Sequence, residues 1–260
     1  MRILPDRTSP PTQPTARRHK PGPVYGVKGY QAYRACLRWD FGFTCPFCLL
    51  HEADFGRGAG IEGSGLTWIE HLLPQSSHED AKNEYRNCVY CCRFCNRARS
   101  CAPVARHGGR LLDPTTSAWA GHFVAVGDRL EPKPGDADAA YTHTSYNIDD
   151  PRKVKLRECR RLLMADHWPL LANGPAAVSR LLQLAEEQTQ NPVALEKLIS
   201  CARLLRTSLL RAEQDLAGYA AIPQDAPTHC HCGTRTHHSL PAELDRQTIE
   251  LPAFGSVTNL

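Results

Sequence analysis

Two short cysteine pairs constrain this chain more than any other feature. Cys45-Pro46-Phe47-Cys48 and Cys92-Arg93-Phe94-Cys95 share the CxxC spacing. Such a turn presents two thiolates to one tetrahedral ion, and two turns together complete a closed four-thiolate zinc site. A closed site leaves no open position for chemistry, so the expected role of this zinc is structural. The gap between the pairs is long for a simple zinc ribbon, which predicts an insertion between them. Cys88-Val89-Tyr90-Cys91 is a third CxxC and leaves two registers for the second pair. Cys36, Cys101, Cys159 and Cys201 are scattered and read as structural thiols.

The chain holds 12 cysteines in 260 residues, a count that would suit disulfides in a secreted protein. Met1 to Pro23 is polar, basic and proline-rich, without the apolar run of a secretory signal. No stretch has the length and apolarity of a membrane span. The expectation is a cytoplasmic, non-membrane protein whose cysteines bind metal or lie buried. The formal charge of +4 permits a nucleic-acid partner without demanding one.

Periodicity and breakers predict an α+β chain. Residues 1–23 read as a disordered basic, Pro-rich arm, with Arg17, Arg18 and Lys20 as a weak phosphate-binding group. Tyr33, Leu37 and Phe41 recur at four-residue spacing and predict a helix over Tyr30 to Phe41. Gly56 to Gly65 is glycine-rich and reads as a loop. Strands are predicted over Leu66 to Leu72 and Asn87 to Cys91, with a helix from Arg93 that Pro103 stops. A hairpin is predicted around Gly127-Asp128 and a helix over Asp136 to Ile148. Asp150-Pro151 opens a strongly basic helix to about Met164, a further helix runs from Pro175 to Glu187, and Asn191-Pro192 opens another to about Tyr219. The expected domains are the arm, a core over 24–113, a hairpin and helical extension over 114–222, and a flexible tail over 223–260.

Between the cysteine pairs stand residues with chemistry: Glu70-His71 at the end of the first strand, Asn87 at the start of the second, and Asn96 directly after Cys95. His titrates near neutral pH and suits a general base. Carboxylate and amide oxygens are hard ligands for Mg2+ or Mn2+. Strand alternation puts Glu70 and His71 on opposite faces, so the strand must end or bend there.

In CPFC, WIEHLLPQS and NCVYCCRFCNRARS the chain resembles the HNH nucleases, whose core is a zinc-stabilised ββα-metal fold. Their pattern runs CxxC, an acidic residue and His, Asn five residues before a second CxxC, then His or Asn after its last Cys. Asn87 lies five before Cys92 and Asn96 follows Cys95, which selects Cys92 and Cys95 over Cys88 and Cys91 as ligands. GRLLDPTTSAWAGHF and NIDDPRKVKLRECRRLL resemble segments that follow the motif in bacterial HNH proteins, some of them the nuclease partner of an ATPase in Septu-type antiphage systems. The resemblance covers about Tyr30 to Leu163. Glu70 stands where the family usually has Asp, one methylene and about 1.5 Å of reach longer.

The resemblance implies a small ββα-metal core with flanking helices and a mainly helical C-terminal part. It implies a metal-dependent endonuclease acting on nucleic acid, DNA first, with His71 as general base. Glu70 and Asn96 would hold a catalytic Mg2+ or Mn2+, Asn87 would brace the connecting loop, and an ATPase subunit is the implied partner. The alternative is a non-catalytic, zinc-stabilised nucleic-acid-binding or partner-docking subunit. Arg93, Arg97 and Arg99, with the basic residues Arg152, Lys153, Lys155, Arg157, Arg160 and Arg161, are candidate phosphate contacts. His229, Cys230, His231, Cys232, His237 and His238 form a tail cluster that is a candidate second metal site.

Overall fold

The computed structural model describes residues 9–56, 67–220 and 232. The expected loop over Gly56 to Gly65 lies outside them after its first residue, as does the tail except Cys232. The described residues fall into two units, 9–161 with 232, and 162–220. No helix among them is long and apolar enough to cross a membrane.

The first unit is built around a short antiparallel pair, β1 (Thr67–His71) and β2 (Cys88–Cys92), with α3 (Arg93–Arg99) following β2 without a loop. Thr67 pairs with Cys92 and His71 with Cys88. The strand, loop, strand, helix order is the one the sequence predicts. Cys92 caps α3, its Sγ accepting the Cys95 N–H at 3.4 Å. The helix ends sooner than Pro103 requires, because Ser100 takes a left-handed φ of 45°. Ahead of the pair, a 3-10 turn over Gly29–Tyr33 leads into α1 (Arg34–Asp40), and α2 (Glu52–Gly56) follows the first cysteine turn.

Downstream come the two-residue hairpin β3 (Ala105–Arg106) and β4 (Gly109–Arg110), α4 (Trp119–His122), the hairpin β5 (Phe123–Val126) and β6 (Arg129–Pro132), and α5 (Ala137–Tyr146). The sequence places a domain boundary at 113/114, yet these elements share the first unit. Gly109 sits so close to α5 that a Cβ there would meet the Ala137 carbonyl. Leu112 N–H donates to Thr142 Oγ1 at 2.9 Å, and Phe47 stacks on Tyr146 with centroids 3.8 Å apart.

Residues 9–23 are also not a loose arm. Ala120 N–H donates to Pro11 O at 2.9 Å and Thr15 N–H to Pro114 O at 2.8 Å. Arg17 donates to the carbonyls of Tyr85, Arg86 and Cys88. Composition reads as disorder here because the segment has no periodic apolar face; its ordering comes from backbone and guanidinium hydrogen bonds instead.

Two predicted helices merge into α6 (Pro151–Glu187), which carries Pro169 and Pro175 in its interior. Each proline removes one i to i−4 hydrogen bond without ending the helix. The second unit pairs residues 162–187 of α6 with α7 (Pro192–Ala220) around Leu171, Val178, Leu209, Ala212 and Leu216. Asn191 caps α7 by accepting the Ala194 N–H at 3.1 Å. Gly174 allows close approach, since a Cβ there would collide with Leu209.

Candidate metal centre and the strand-end histidine

Cys45, Cys48, Cys92 and Cys95 are buried, and their sulfurs lie within 4.8 Å of one another. Cys48 and Cys92 sulfurs are 3.6 Å apart. A tetrahedral ion bound at about 2.3 Å per thiolate sets its sulfurs roughly 3.8 Å apart, so this set fits an ion such as zinc. The register is the one the motif selects. Cys88 stays outside the cluster, where burial pushes its thiol up to about 12. Cys91 is also outside it, its Sγ donating to Cys92 O at 3.3 Å.

The first cysteine turn closes through Leu49 N–H to Cys45 O at 2.9 Å and Cys45 N–H to Leu50 O at 2.8 Å. Leu49 holds a left-handed φ of 60°, a conformation that costs a non-glycine residue about 1–2 kcal/mol. Surrounding bonds enforce it. Arg160 donates to Leu49 O at 2.9 Å, Arg157 to Cys48 O at 3.1 Å, and Trp119 Nε1 to Phe47 O at 3.2 Å.

These bonds overturn one reading of the sequence. The basic start of α6 was a candidate phosphate contact, but its cations serve the core. Lys153, Arg157 and Arg160 are 1–2% exposed. Positions i, i+4 and i+7 share a helix face, and this face covers the first cysteine turn. Lys153 Nζ lies 3.2 Å from Cys95 Sγ and donates to the carbonyls of Tyr146 and Asn147. Burial works against the Lys153 charge, but the Cys95, Cys48 and Cys92 sulfurs outweigh it and raise its pKa. Arg160 pairs with Asp54 at 2.7 Å and Arg157 with Asp149 at 2.6 Å. The three more exposed cations are paired too: Arg152 with Asp150, Lys155 with Glu158, and Arg161 with Asp128. A sign that was available in the sequence is the four- and three-residue spacing of 153, 157 and 160, which puts three charges on one face instead of scattering them.

His71 is the last residue of β1 and is buried. Its Nε2 lies 2.9 Å from Lys82 O. A carbonyl only accepts, so Nε2 carries the proton and Nδ1 keeps its lone pair. Gln75, itself exposed, reaches Nδ1 with its amide nitrogen at 2.8 Å. Burial lowers the His71 pKa despite the Lys82 carbonyl, which favours the neutral ring. The Tyr30 ring packs edge-on against it at 4.7 Å.

Asn87 ties the loop between the strands. Its Oδ1 accepts Leu73 N–H at 2.7 Å, and its Nδ2 donates to Leu73 O and Ala81 O. Glu70 faces away from His71, toward α3, and its Oε1 accepts the His71 N–H at 2.9 Å. Arg99 Nη1 stands 3.7 Å from the same oxygen, and Arg99 Nη2 donates to Leu72 O at 3.0 Å. Burial pushes the Glu70 carboxyl up to about 7, with Arg99 and the His71 N–H pulling it back only in part. Asn96, half-buried, precedes Arg99 by three residues, a spacing that puts the two on neighbouring positions of the helix surface. Arg97 is exposed, whereas Arg93 is half-buried over the Phe94 ring. Tyr146 Oη is buried near this carboxyl and has no hydrogen-bond partner among the described residues. Glu70 belongs to neither of the two close groups of three or more His, Cys, Asp or Glu among the described residues.

The arrangement places a neutral, oriented imidazole at the strand end and, one residue earlier, a buried carboxyl beside Arg99 of α3. The sequence identified Glu70, His71, Asn87 and Asn96 but not Lys82, whose backbone carbonyl has no side-chain signature, nor the covering role of Lys153. No protein-family model, no curated protein and no solved structure matches the chain.

Proposed function

We propose that this chain is a metal-dependent endonuclease of the HNH type, hydrolysing phosphodiester bonds in nucleic acid, with DNA as the first substrate to test. The observation that carries the reading is the state of His71. Its Nε2–H is held by Lys82 O, and its Nδ1 is left as an acceptor behind one exposed glutamine side chain. A general base needs that tautomer and a pKa at or below the working pH. The ββα order around it and the buried cysteine cluster that anchors β2 and α3 support the same reading.

In this reading the four thiolates hold zinc as scaffold. Glu70 and Asn96 would hold Mg2+ or Mn2+, which would supply Lewis-acid stabilisation of the phosphate and the leaving oxygen. Water displaces the Gln75 amide from His71 Nδ1, and the ring takes a proton from that water. Asn87 and the Lys82 carbonyl keep the ring oriented. Arg97, which is exposed on α3, would be the cation that meets phosphate. Action as the nuclease subunit of an ATPase-containing antiphage complex is part of the proposal and rests on the sequence resemblance alone.

The test is plasmid cleavage with Mg2+ or Mn2+ beside His71→Ala. The expected outcome is a rate lower by about 10²–10⁴-fold, with zinc content and circular dichroism unchanged. Equal rates for the two proteins under matched metal would sink the assignment of His71 as general base, and the zinc-stabilised binding module gains only if the parent's activity also traces to a contaminant.

A further inference from the structure

A second group of soft ligands lies in the first unit, apart from the four-cysteine cluster. His19, Cys36 and Cys232 bring Nδ1 or Nε2 and two sulfurs within 4.8 Å of one another. His19 Nδ1 and Cys232 Sγ are 3.4 Å apart across 213 residues of sequence. Ligands bound tetrahedrally to zinc at about 2.0 Å for nitrogen and 2.3 Å for sulfur stand roughly 3.5 Å apart.

Two of the three are held on a stiff frame. Cys36 is fully buried on α1 and His19 is 2% exposed. Asp40, one turn after Cys36, accepts the backbone N–H groups of Arg18 and His19 at 2.9 and 3.1 Å. The Tyr85 hydroxyl fixes the other Asp40 oxygen at 2.6 Å. The frame therefore aims His19 at Cys36 before the third ligand arrives. One imidazole and two sulfurs are a soft set, suited to zinc and unsuited to Mg2+.

We propose that His19, Cys36 and Cys232 form a second zinc site, which fastens His19 and Cys232 onto α1. Cys232 is half of a disulfide in this structure, so the metal-binding form is the reduced one. A dithiol reductant gives two electrons and two protons to the cystine and becomes a disulfide itself; Cys232 is then a thiol. On binding Zn2+, Cys36 and Cys232 each release a proton and neutral His19 donates its lone pair. The site thus couples zinc occupancy to thiol redox state. It does not depend on the nuclease assignment.

The full-length chain is loaded with zinc, desalted and measured by elemental analysis, with and without prior reduction by a dithiol. The reduced chain is expected to hold about two zinc and the oxidised chain about one, because ligands must be free thiolates to bind. His19→Gln and Cys232→Ser are each expected to hold about one zinc when reduced. Cobalt substitution reports the two sites separately: the four-thiolate absorption should persist in both variants and vanish in Cys45→Ser. If His19→Gln fails to fold, Cys232→Ser decides alone. One zinc in the reduced parent with an intact four-thiolate spectrum, or two zinc in either variant, overturns the second site without touching the first. Loss of the four-thiolate spectrum from the parent would instead count against the structural zinc.

Discussion

The two units of this chain solve the same problem with opposite materials. In residues 162–220, two helices bury an apolar stripe of Leu171, Val178, Leu209 and Leu216, and Gly174 lets them close. In residues 9–161, the centre is four sulfurs, and three buried cations from α6 close over them. A four-thiolate zinc carries a net charge of −2, and an unbalanced charge away from water is costly. Lys153 beside Cys95 brings opposite charge to that place, while Arg157 and Arg160, paired with Asp149 and Asp54, hold the turn carbonyls. The lesson is that a helix rich in Lys and Arg can be a core element when buried carbonyls, carboxylates and sulfurs receive its cations.

The comparison can be broken by denying the four cysteines an ion. Cys45→Ser, or a strong chelator, is expected to unfold the first unit, because a structural zinc held there would supply about 10–16 kcal/mol of apparent binding free energy to the fold. Circular dichroism should then keep a helical signal from the second unit. A first unit that stays folded without metal would show that the cations and the aromatic packing suffice.

Leu209→Ala is the matching cut in the second unit. Removal of a buried leucine side chain costs about 2–5 kcal/mol. The expected result is a lower thermal midpoint for that unit with zinc content unchanged. Loss of zinc in this variant would deny that the two are held by different means.

Lys153→Met keeps volume and removes the charge beside Cys95. A group that hydrogen-bonds to a metal ligand is worth about 10–100-fold in metal affinity, so zinc should be lost to a competing chelator that much sooner. No change would mean that Lys153 serves only the carbonyls of Tyr146 and Asn147.

The smallest effect is a pH signature. Burial works against ionisation of Asp149, but bonds from His143, Leu130 and Arg129 and the Arg157 charge outweigh it and hold its pKa at about 2. A depressed carboxyl stabilises the fold above the unfolded-state pKa and loses that stabilisation as pH falls through the folded value. Asp149→Asn should therefore lower the melting temperature at neutral pH, with the gap to the parent closing between pH 3.8 and about 2. A gap that stays constant with pH would assign the loss to packing.

Local spacing was enough for the sequence to determine several features by itself. The cysteine pairs at 45/48 and 92/95, the strand, loop, strand, helix order and the strand-end position of Glu70-His71 all depend on residues near one another in the chain. Tertiary structure decided the rest, where partners lie far apart. Arg157 and Cys48 are 109 residues apart and Arg160 and Leu49 are 111; no periodicity reports a cation's distant carbonyl. The order of residues 9–23 rests on Arg17 reaching carbonyls about 70 residues away. His19 and Cys36 gained a third neighbour in Cys232, which lies 213 residues beyond His19. A sequence shows which groups can bond. Hydrogen bonds and metal ligation act over a few ångströms, so only the folded chain shows which groups meet.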